Sequence, residues 1–460
     1  MTIDSSMEAI AQIDDLLQRL FPICRSLTGN GVRETFRILQ ESVPVAMHEI
    51  PSGTTCYDWT VPNEWNIRDA YVADQSGNRL IDFRKSNIHL VGYSIPVNKR
   101  MHFRDLRPHL HTLPNLPEAI PYRTSYYSPD WGFCLRHCDL DLFDPDAEYD
   151  VLVDATLEPG SLSYAEGLIE GTSSREYIIS SYCCHPSLAN DNLSGLILWA
   201  MLYQELAGRE NYHSYRFVAV PETIGAIAYL ARNEHAAKNL AGGLVITTVG
   251  GPGPLSYKRS FRGDHEIDEI VRLTLADLAP SYLEYPFDLS GSDERQFSSP
   301  AFRVPTVTIS KDKYQEYDYY HTSLDDLEFV KAEYIHQTLR AYLETIDRLE
   351  LNRIYVSRNP AGEPMLGKRN LYPKIGGQLK QPADNIEKAA EKRQYDTKQG
   401  ARIQQSLLDA ILWMMFYSDG TASVLDISKA TGLPMRLLDK AARQLTEKGL
   451  LEPKFDLTRN

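Results

Sequence analysis

Residues 177–206, YIISSYCCHPSLANDNLSGLILWAMLYQEL, decide the fold. An apolar run typical of a buried strand ends at Cys183, a short polar loop follows, and the apolar stretch Leu193–Leu206 has the length of a helix. A strand that leads through a loop into a helix is the repeating unit of α/β folds. In such folds, sites form at the carboxyl ends of the strands. His185 and Asp191 lie in this loop and are therefore the first candidates for a functional site.

The same succession of strand, loop and helix recurs between residues 150 and 350. Further strand-like runs occur at Tyr149–Asp154, Arg216–Val220, Gly243–Val249 and Val304–Ile309, and helical patterns occur at Gly225–Glu234, Glu266–Ala279 and Lys331–Leu349. This alternation predicts an α/β fold with a mostly parallel sheet and helices on both of its faces.

The parts of the chain on either side of this region differ from it in composition and hydrophobic pattern. Residues 56–149 are rich in Pro, Tyr, Trp and His and contain short β-like runs, which predicts an inserted β-rich domain. Helical patterns at Ser406–Tyr417, Val424–Ala430 and Pro434–Lys448 predict a winged helix-turn-helix over residues 395–460. We therefore expect three domains: a discontinuous α/β domain of residues 1–55 and 150–380, the insert, and the C-terminal module.

Composition limits the classes of function. The 460 residues include 48 Lys and Arg against 62 Asp and Glu, a net charge of −14, which excludes a chain-wide basic surface for nucleic acid. No apolar run approaches the roughly 20 residues that span a bilayer, so no membrane-spanning helix is expected. The first residues, MTIDSSMEAIAQIDDLL, carry acids where a secretory signal carries Lys or Arg, which favours a cytoplasmic location.

Two further motifs place chemically useful side chains after strands. Glu222, in PETIG, follows the run YRFVAV, and His321, in YDYYHTSLDDL, follows VPTVTIS. Each residue alone has a structural explanation, because acids favour helix N-termini and histidines are often partly buried. Together with His185 and Asp191, however, they form a set of imidazole and carboxylate groups at neighbouring strand ends. Such groups bind catalytic zinc, which takes about three protein ligands and leaves one position open.

The succession of these motifs resembles a known family. His185, followed by NDNLSG, ETIG, GSDERQF and YHTSLD in that order, is similar to the zinc aminopeptidase clan that includes bacterial leucyl aminopeptidases and glutaminyl cyclases. The whole chain resembles more closely a bacterial family of aminopeptidase-like proteins with an inserted small domain and a C-terminal winged helix. The resemblance implies a three-layer α/β/α aminopeptidase-like domain and a zinc cofactor.

Four residues take roles from this resemblance by position. His185, Asp191 and His321 match metal ligands, and Glu222 matches the glutamate that serves as general base. In the implied mechanism, zinc lowers the pKa of a bound water, Glu222 takes its proton during attack on the carbonyl, and the proton then passes to the leaving amine.

The chain departs from the family pattern at two ligand positions. Thr223 stands where the aminopeptidases have a second glutamate ligand, and Thr247 or Thr248 in GLVITTVG stands where they have an aspartate ligand. Each of two metal positions has thus lost a carboxylate. One zinc ion per chain is therefore the simpler expectation.

Candidate substrate-binding residues lie in two loops. Asp293 in GSDERQF matches a family aspartate that lines the site, and Glu294 beside it suits a substrate ammonium. Lys258 and Arg259 in LSYKRS suit a substrate carboxylate, although a solvated loop is the slightly favoured explanation of these two basic residues. The insert is expected to shield one side of the cleft and to favour small substrates.

Three functions remain compatible with the sequence. The first is a zinc-dependent aminopeptidase-like hydrolase acting on a peptide or small amide. The second keeps the metal but deacylates an amino sugar derivative or another non-peptide amide, or cyclises its substrate. The third is a non-catalytic protein that senses a ligand and whose winged helix binds DNA or a partner. Residues 395–460 hold nine basic and eight acidic residues, so packing of the winged helix against the peptidase domain or in a homo-oligomer is favoured over DNA binding.

Overall fold

The computed structural model describes residues 3–371 and 407–454. The chain divides into two compact units, residues 1–345 and 346–460. The helices, in chain order, are α1 (Ile3–Leu20), α2 (Asn30–Leu39), α3 (Phe103–Leu106), α4 (Gly195–Ala207), α5 (Ile224–Arg232), α6 (Glu234–Ala237), α7 (Glu266–Leu278), α8 (Glu294–Phe297), α9 (Ala332–Leu351), α10 (Leu407–Tyr417), α11 (Val424–Thr431) and α12 (Met435–Glu447).

The strands fall into one large sheet and several smaller ones. In chain order they are β1 (Ala46–Pro51), β2 (Thr55–Cys56), β3 (Trp59–Thr60), β4 (Glu64–Ala73), β5 (Arg79–Asp82), β6 (Val97–His102), β7 (Leu110–His111), β8 (Phe133–Cys134), β9 (Glu148–Glu158), β10 (Ser161–Ile169), β11 (Glu176–Tyr182), β12 (Ser214–Val220), β13 (Gly242–Ile246), β14 (Ser256–Lys258), β15 (Leu283–Tyr285), β16 (Thr306–Ser310), β17 (Ile354–Ser357), β18 (Asp419–Ser423) and β19 (Leu451–Pro453).

The large sheet has eight strands in the order β1-β10-β12-β11-β13-β16-β14-β15. Its centre, β12-β11-β13-β16, is parallel, while β1 and β10 pair antiparallel at one side. The central strand β11 is buried on both faces, which explains its continuous apolar run. Helix α4 packs on β11 and β13 and is itself contacted by α1. The predicted α/β fold class is confirmed.

The predicted strand at Tyr149–Asp154 belongs to a different sheet from the one expected. It forms part of β9, which lies between β4 and β6 in the antiparallel sheet of the insert, order β5-β4-β9-β6. Its buried and partly exposed residues alternate, as expected for a strand with one face on a core and one toward solvent. The sheet of the insert therefore extends past residue 149, to Glu158.

The insert and the large sheet share one hydrophobic core. A single cluster of buried side chains includes Trp65, Val72 and Val151 from the insert together with Ile178 and Val218 from the large sheet. The insert is thus part of the first compact unit, although its sheet is separate.

The second unit contains the predicted winged helix-turn-helix. Helices α10, α11 and α12 agree with the three helical patterns, and β19 follows α12. Strand β17, which falls within residues 150–380, pairs with β18 and β19 and so belongs to this module. Residues 395–406 and 455–460 of the expected module lie outside the described residues. Across residues 3–371 and 407–454, no helix has the length and apolar character needed to cross a membrane.

Candidate metal centre

The candidate site lies at the carboxyl ends of the parallel strands. His185 follows the end of β11, Glu222 follows the end of β12, and His321 lies in the loop after β16. Asp191 lies in a buried turn, Ala189–Ser194, that leads into α4. The N-cap of α4 is Ser194, so helix capping does not explain Asp191.

The three predicted metal ligands come together. One ligand atom from each of His185, Asp191 and His321 lies within 4.8 Å of the other two. His321 Nε2 is 2.9 Å from Asp191 Oδ2, and His185 Nε2 is 4.0 Å from the same oxygen. The two imidazole centroids are 5.4 Å apart. Two imidazoles and one carboxylate are a ligand set that zinc prefers.

One buried atom tests whether these residues fit a cation. His321 Nε2 is buried and has no hydrogen-bond partner among the described residues, although a carboxylate oxygen lies 2.9 Å away. Its orientation therefore does not complete a hydrogen bond with that oxygen. Buried polar atoms without a partner are uncommon and often mark a missing water or ion. The donor set and this unsatisfied nitrogen both fit zinc.

Several groups hold Asp191 and its turn in place. The Tyr182 hydroxyl donates to Asp191 Oδ1, and the backbone N–H of Asp191 donates to Asp325 Oδ2 over 3.0 Å. Asp325 also accepts from the backbone N–H of Asn190 at 2.6 Å and from the Tyr317 hydroxyl at 3.0 Å. Such supporting contacts orient metal ligands and tune their affinity.

The pKa values of two ligands favour their metal-binding forms. Burial lowers the pKa of His185 to about 4, so its imidazole is neutral at neutral pH. Burial raises the pKa of Asp191, but His185 and His321 lower it more, to about 2, so this carboxylate is ionised. The carbonyl of His185 accepts a hydrogen bond from Arg25 Nε at 2.9 Å, which fixes the loop.

Glu222 lies beside the metal ligands. Its carboxylate, a ring nitrogen of His185 and the Cys184 thiol lie within 4.8 Å of one another. Burial, and then the charges of Asp293 and Asp191, raise the pKa of Glu222 well above its usual value. Its backbone N–H is 3.3 Å from Cys184 Sγ and donates to it. The raised pKa makes the Glu222 carboxylate a stronger base, which suits a general acid and base.

Asp293 lies close to Glu222 and is fully buried. One of its oxygens accepts the backbone N–H of Thr223 at 2.8 Å, and Oδ2 has no partner among the described residues. Burial, together with the charge of Glu294, raises the pKa of Asp293 to about 7.

Lys258 and Glu294 pair with each other. Lys258 Nζ is buried, 2.7 Å from Glu294 Oε1, 3.1 Å from Asp288 Oδ1 and 2.5 Å from the Tyr314 hydroxyl. The expected binding of a substrate carboxylate by Lys258 conflicts with this geometry, because its charge is already neutralised. Arg259 is half exposed and pairs with Glu284 at 2.6 Å. Neither basic residue joins the metal ligands.

Two of the three threonines at the departure points have hydrogen-bond partners away from the metal ligands. Thr247 Oγ1 is 2.7 Å from the Tyr182 hydroxyl, and Thr223 Oγ1 accepts a hydrogen bond from Arg295 Nη2 at 3.3 Å. Thr248 is buried, and its Oγ1 has no hydrogen-bond partner within the described ranges. A hydroxyl is a poorer zinc ligand than a carboxylate, so these positions favour fewer metals than the aminopeptidase pattern.

Several residues of the centre were not found from the sequence. Arg25 lies in the chain between α1 and α2, Cys184 precedes His185, and Tyr182 ends β11. Tyr122 comes from the insert, and its ring centroid is 5.3 Å from that of His185 and 5.1 Å from that of His321. Of these residues, only Tyr182 and Cys184 could have been predicted from the sequence, because both adjoin the motif that contains His185.

The fold is that of an aminopeptidase-like domain. The structure is similar to BSAP, a zinc aminopeptidase from Bacillus subtilis, with a TM-score of 0.55 at 12% identity over 75% of this chain and 94% of that chain. It is also similar to a peptidase M28 precursor from Shewanella amazonensis, with a TM-score of 0.50 at 12% identity over 74% and 94% of the two chains. At this identity the similarity shows the fold alone.

The family follows from closer relatives. The model of a domain of unknown function (DUF4910) matches residues 14–352, and a winged helix-turn-helix model matches residues 393–453. A Clostridium acetobutylicum protein is 42% identical over 450 residues, 98% of each chain; its name proposes a role in polysaccharide biosynthesis and mentions an aminopeptidase-like domain. A crystal structure of a candidate peptidase from the same organism has a TM-score of 0.85 at 40% identity over 98% of each chain. The chain belongs to the DUF4910 family, and the predicted resemblance is confirmed.

Proposed function

We propose that this protein is a zinc-dependent hydrolase of the aminopeptidase type that cleaves a peptide or a small amide. The observation that carries the proposal is the convergence of His185, Asp191 and His321, whose ligand atoms lie within 4.8 Å of one another, with Glu222 next to His185. The unpartnered His321 Nε2 adds support, because it leaves one ligand atom ready for a cation.

One zinc ion per chain would be held by these three ligands. When bound, zinc polarises a carbonyl group and lowers the pKa of water. Glu222 accepts the proton of the attacking water and delivers it to the leaving amine. Its raised pKa supports the first step, because a more basic carboxylate takes the proton of water more readily, and the acid that forms can return this proton to the amine.

The carboxylates next to Glu222 suit recognition of an amine. Asp293 Oδ2 and Glu294 Oε2 are buried without hydrogen-bond partners among the described residues. Glu294 Oε1 is already engaged by Lys258, so its second oxygen is the one that is available. A substrate ammonium that reached either oxygen would offset the cost of burying it.

A substrate screen with a base variant tests this function. Aminoacyl anilides and dipeptides are incubated with the zinc-loaded wild type and with Glu222→Gln, and Glu328→Gln at a site 95% exposed serves as the matched control. We expect Glu222→Gln to lose about 10²–10⁴-fold in kcat, the usual size of general acid and base catalysis, while the control keeps wild-type activity. Undiminished hydrolysis by Glu222→Gln would refute its role.

A second candidate function is deacylation of an amino sugar derivative. It is favoured by the relative whose name proposes a role in polysaccharide biosynthesis, and it uses the same ligands and the same base. N-acetylated amino sugars in the same screen separate the two candidates. Release of acetate with no cleavage of dipeptides would replace the peptidase assignment.

For the C-terminal module we propose a protein partner in preference to DNA. The exposed face of α12 carries Arg436, Lys440 and Arg443. Arg443 Nε is 2.7 Å from Asp439 Oδ2, and Arg436 Nη2 is 3.6 Å from Asp347 Oδ2. These acids weaken the attraction of the helix for phosphates. Salt-dependent binding of the full chain to random duplex DNA would contradict the proposal.

A further inference from the structure

A short segment of the insert is joined to the loop that carries His321. The backbone N–H of Tyr122 donates to the His321 carbonyl at 2.8 Å, and Pro121 forms an isolated bridge with Thr322. Ser323 N donates to the Ile120 carbonyl at 2.9 Å, and its hydroxyl accepts from Ile120 N at 3.0 Å. Residues 120–122 and 321–323 therefore form a small antiparallel ladder.

The ladder supports an unusual backbone conformation at His321. Its φ is +56°, in the left-handed region that non-glycine residues rarely adopt. Such a conformation persists only where the surrounding structure enforces it. The ladder supplies that support on the backbone, and the Tyr320 ring stacks on the His321 imidazole with centroids 3.9 Å apart.

The Tyr122 side chain reaches the metal ligands themselves. Its ring is edge-on to His321, at an interplanar angle of 88°, and tilted by 54° against His185. The Tyr122 hydroxyl is 3.1 Å from the hydroxyl of Tyr126, a second residue of the insert. One ring thus packs against both imidazoles and limits how far each can rotate.

We propose that Tyr122 is a positioning residue of the metal centre, so that the insert helps to complete the zinc site. The inference rests on the proposed zinc-dependent function, and it adds a role for the insert that the fold alone does not require. The ring keeps the imidazoles of His185 and His321 close enough to each other to bind one zinc ion together with Asp191. Without the ring, His185 and His321 gain rotational freedom that zinc binding must remove.

Zinc affinity of the full chain tests the proposal. Zn²⁺ is titrated into metal-free wild type, Tyr122→Ala and Tyr122→Phe in competition with a chelator, and the absorption spectrum of the Co²⁺-loaded proteins reports ligand geometry. We expect Tyr122→Ala to bind Zn²⁺ at least about tenfold more weakly, within the 10–100-fold typical of groups that orient ligands, and to alter the Co²⁺ spectrum. Tyr122→Phe keeps the ring and should restore both readouts.

A matched variant separates positioning from general stability of the insert. Tyr149 is 2% exposed and packs on Phe143 with centroids 5.1 Å apart, in the core of the insert. Tyr149→Ala should lower the unfolding temperature and leave Zn²⁺ affinity unchanged. If Tyr122→Ala does not fold, Tyr122→Leu is measured with the same expectation.

The outcomes distinguish the inference from the proposed function. Wild-type affinity in the variant without the ring, or an equal loss in Tyr149→Ala, would overturn the role of Tyr122 alone. A wild type that binds no Zn²⁺ would overturn the proposed function together with this inference.

Discussion

Removing the hydroxyl of Tyr182 tests how much its hydrogen bond to Asp191 contributes to stability and to zinc affinity. Tyr182 is 3% exposed, its hydroxyl donates to Asp191 Oδ1, and it lies 2.7 Å from Thr247 Oγ1. Tyr182→Phe keeps the ring and removes both contacts. The change leaves one oxygen of an ionised, buried carboxylate without its donor.

The size of the effect follows from these two contacts. A hydrogen bond to a charged group contributes about 1.5–3 kcal/mol and one between neutral groups about 1 kcal/mol. We therefore expect the free energy of unfolding of the zinc-free protein to fall by about 2–4 kcal/mol. Zinc affinity should fall about 10–100-fold, because Asp191 loses a group that orients it.

Urea unfolding followed by circular dichroism, and zinc titration against a chelator, measure both quantities. Tyr203→Phe is the matched control: Tyr203 is 5% exposed and its ring packs on Phe217 with centroids 5.0 Å apart. The control should keep wild-type zinc affinity. Tyr182→Phe with wild-type stability and wild-type affinity would refute the idea that this hydroxyl supports the metal ligand.

Three further predictions concern the surrounding groups. Lys258→Met should lower the free energy of unfolding by about 3–5 kcal/mol in urea denaturation, because it leaves Glu294 buried without its cation. Arg259→Met, in an exposed pair, should lower it by less than about 1 kcal/mol. Equal losses of stability would contradict the role of the buried pair. Asp293 has a pKa raised to about 7, so its neutral form stabilises the zinc-free fold below about pH 4, and this contribution is lost as the pH rises through 7. Asp293→Asn should therefore flatten the dependence of the free energy of unfolding on pH in this range. An unchanged slope would be inconsistent with the raised pKa. If the insert restricts the cleft, dipeptides should be cleaved faster than long peptides, and equal rates in a hydrolysis assay would contradict it.

The sequence was most informative where local pattern and chemistry coincide. The continuous apolar run before His185 predicts a strand buried on both faces, and β11 is such a strand. The parallel arrangement of β11 and β12 then brings the residues after their ends to one edge of the sheet. This is why His185 and Glu222 could be placed together without a structure.

Other features depend on contacts between distant parts of the chain. Nothing in the sequence near Tyr122 indicates that its N–H bonds to His321. The two residues are far apart in the chain, and the packing of the insert against the large sheet brings them together. The pairing of Lys258 with Glu294 was missed for the same reason. Strand β9 was assigned to the wrong sheet because a run of apolar residues does not specify its partner strands.

The departures at Thr223, Thr247 and Thr248 lead to the expectation of one metal ion. Thr223 stands in place of one carboxylate of the aminopeptidase pattern and either Thr247 or Thr248 in place of another, and Thr247 is within hydrogen-bond distance of Tyr182. The proposed single zinc ion per chain would therefore separate this protein from a dinuclear aminopeptidase.

Metal analysis of the purified chain is the most direct test of the central claim. Zinc is measured by inductively coupled plasma mass spectrometry in the wild type, His185→Ala and His321→Ala, with His102→Ala, at a half-exposed position of the insert, as the control. We expect one zinc ion per chain in the wild type and the control and its loss in the two ligand variants. A wild type without zinc, or zinc retained in both ligand variants, would contradict it.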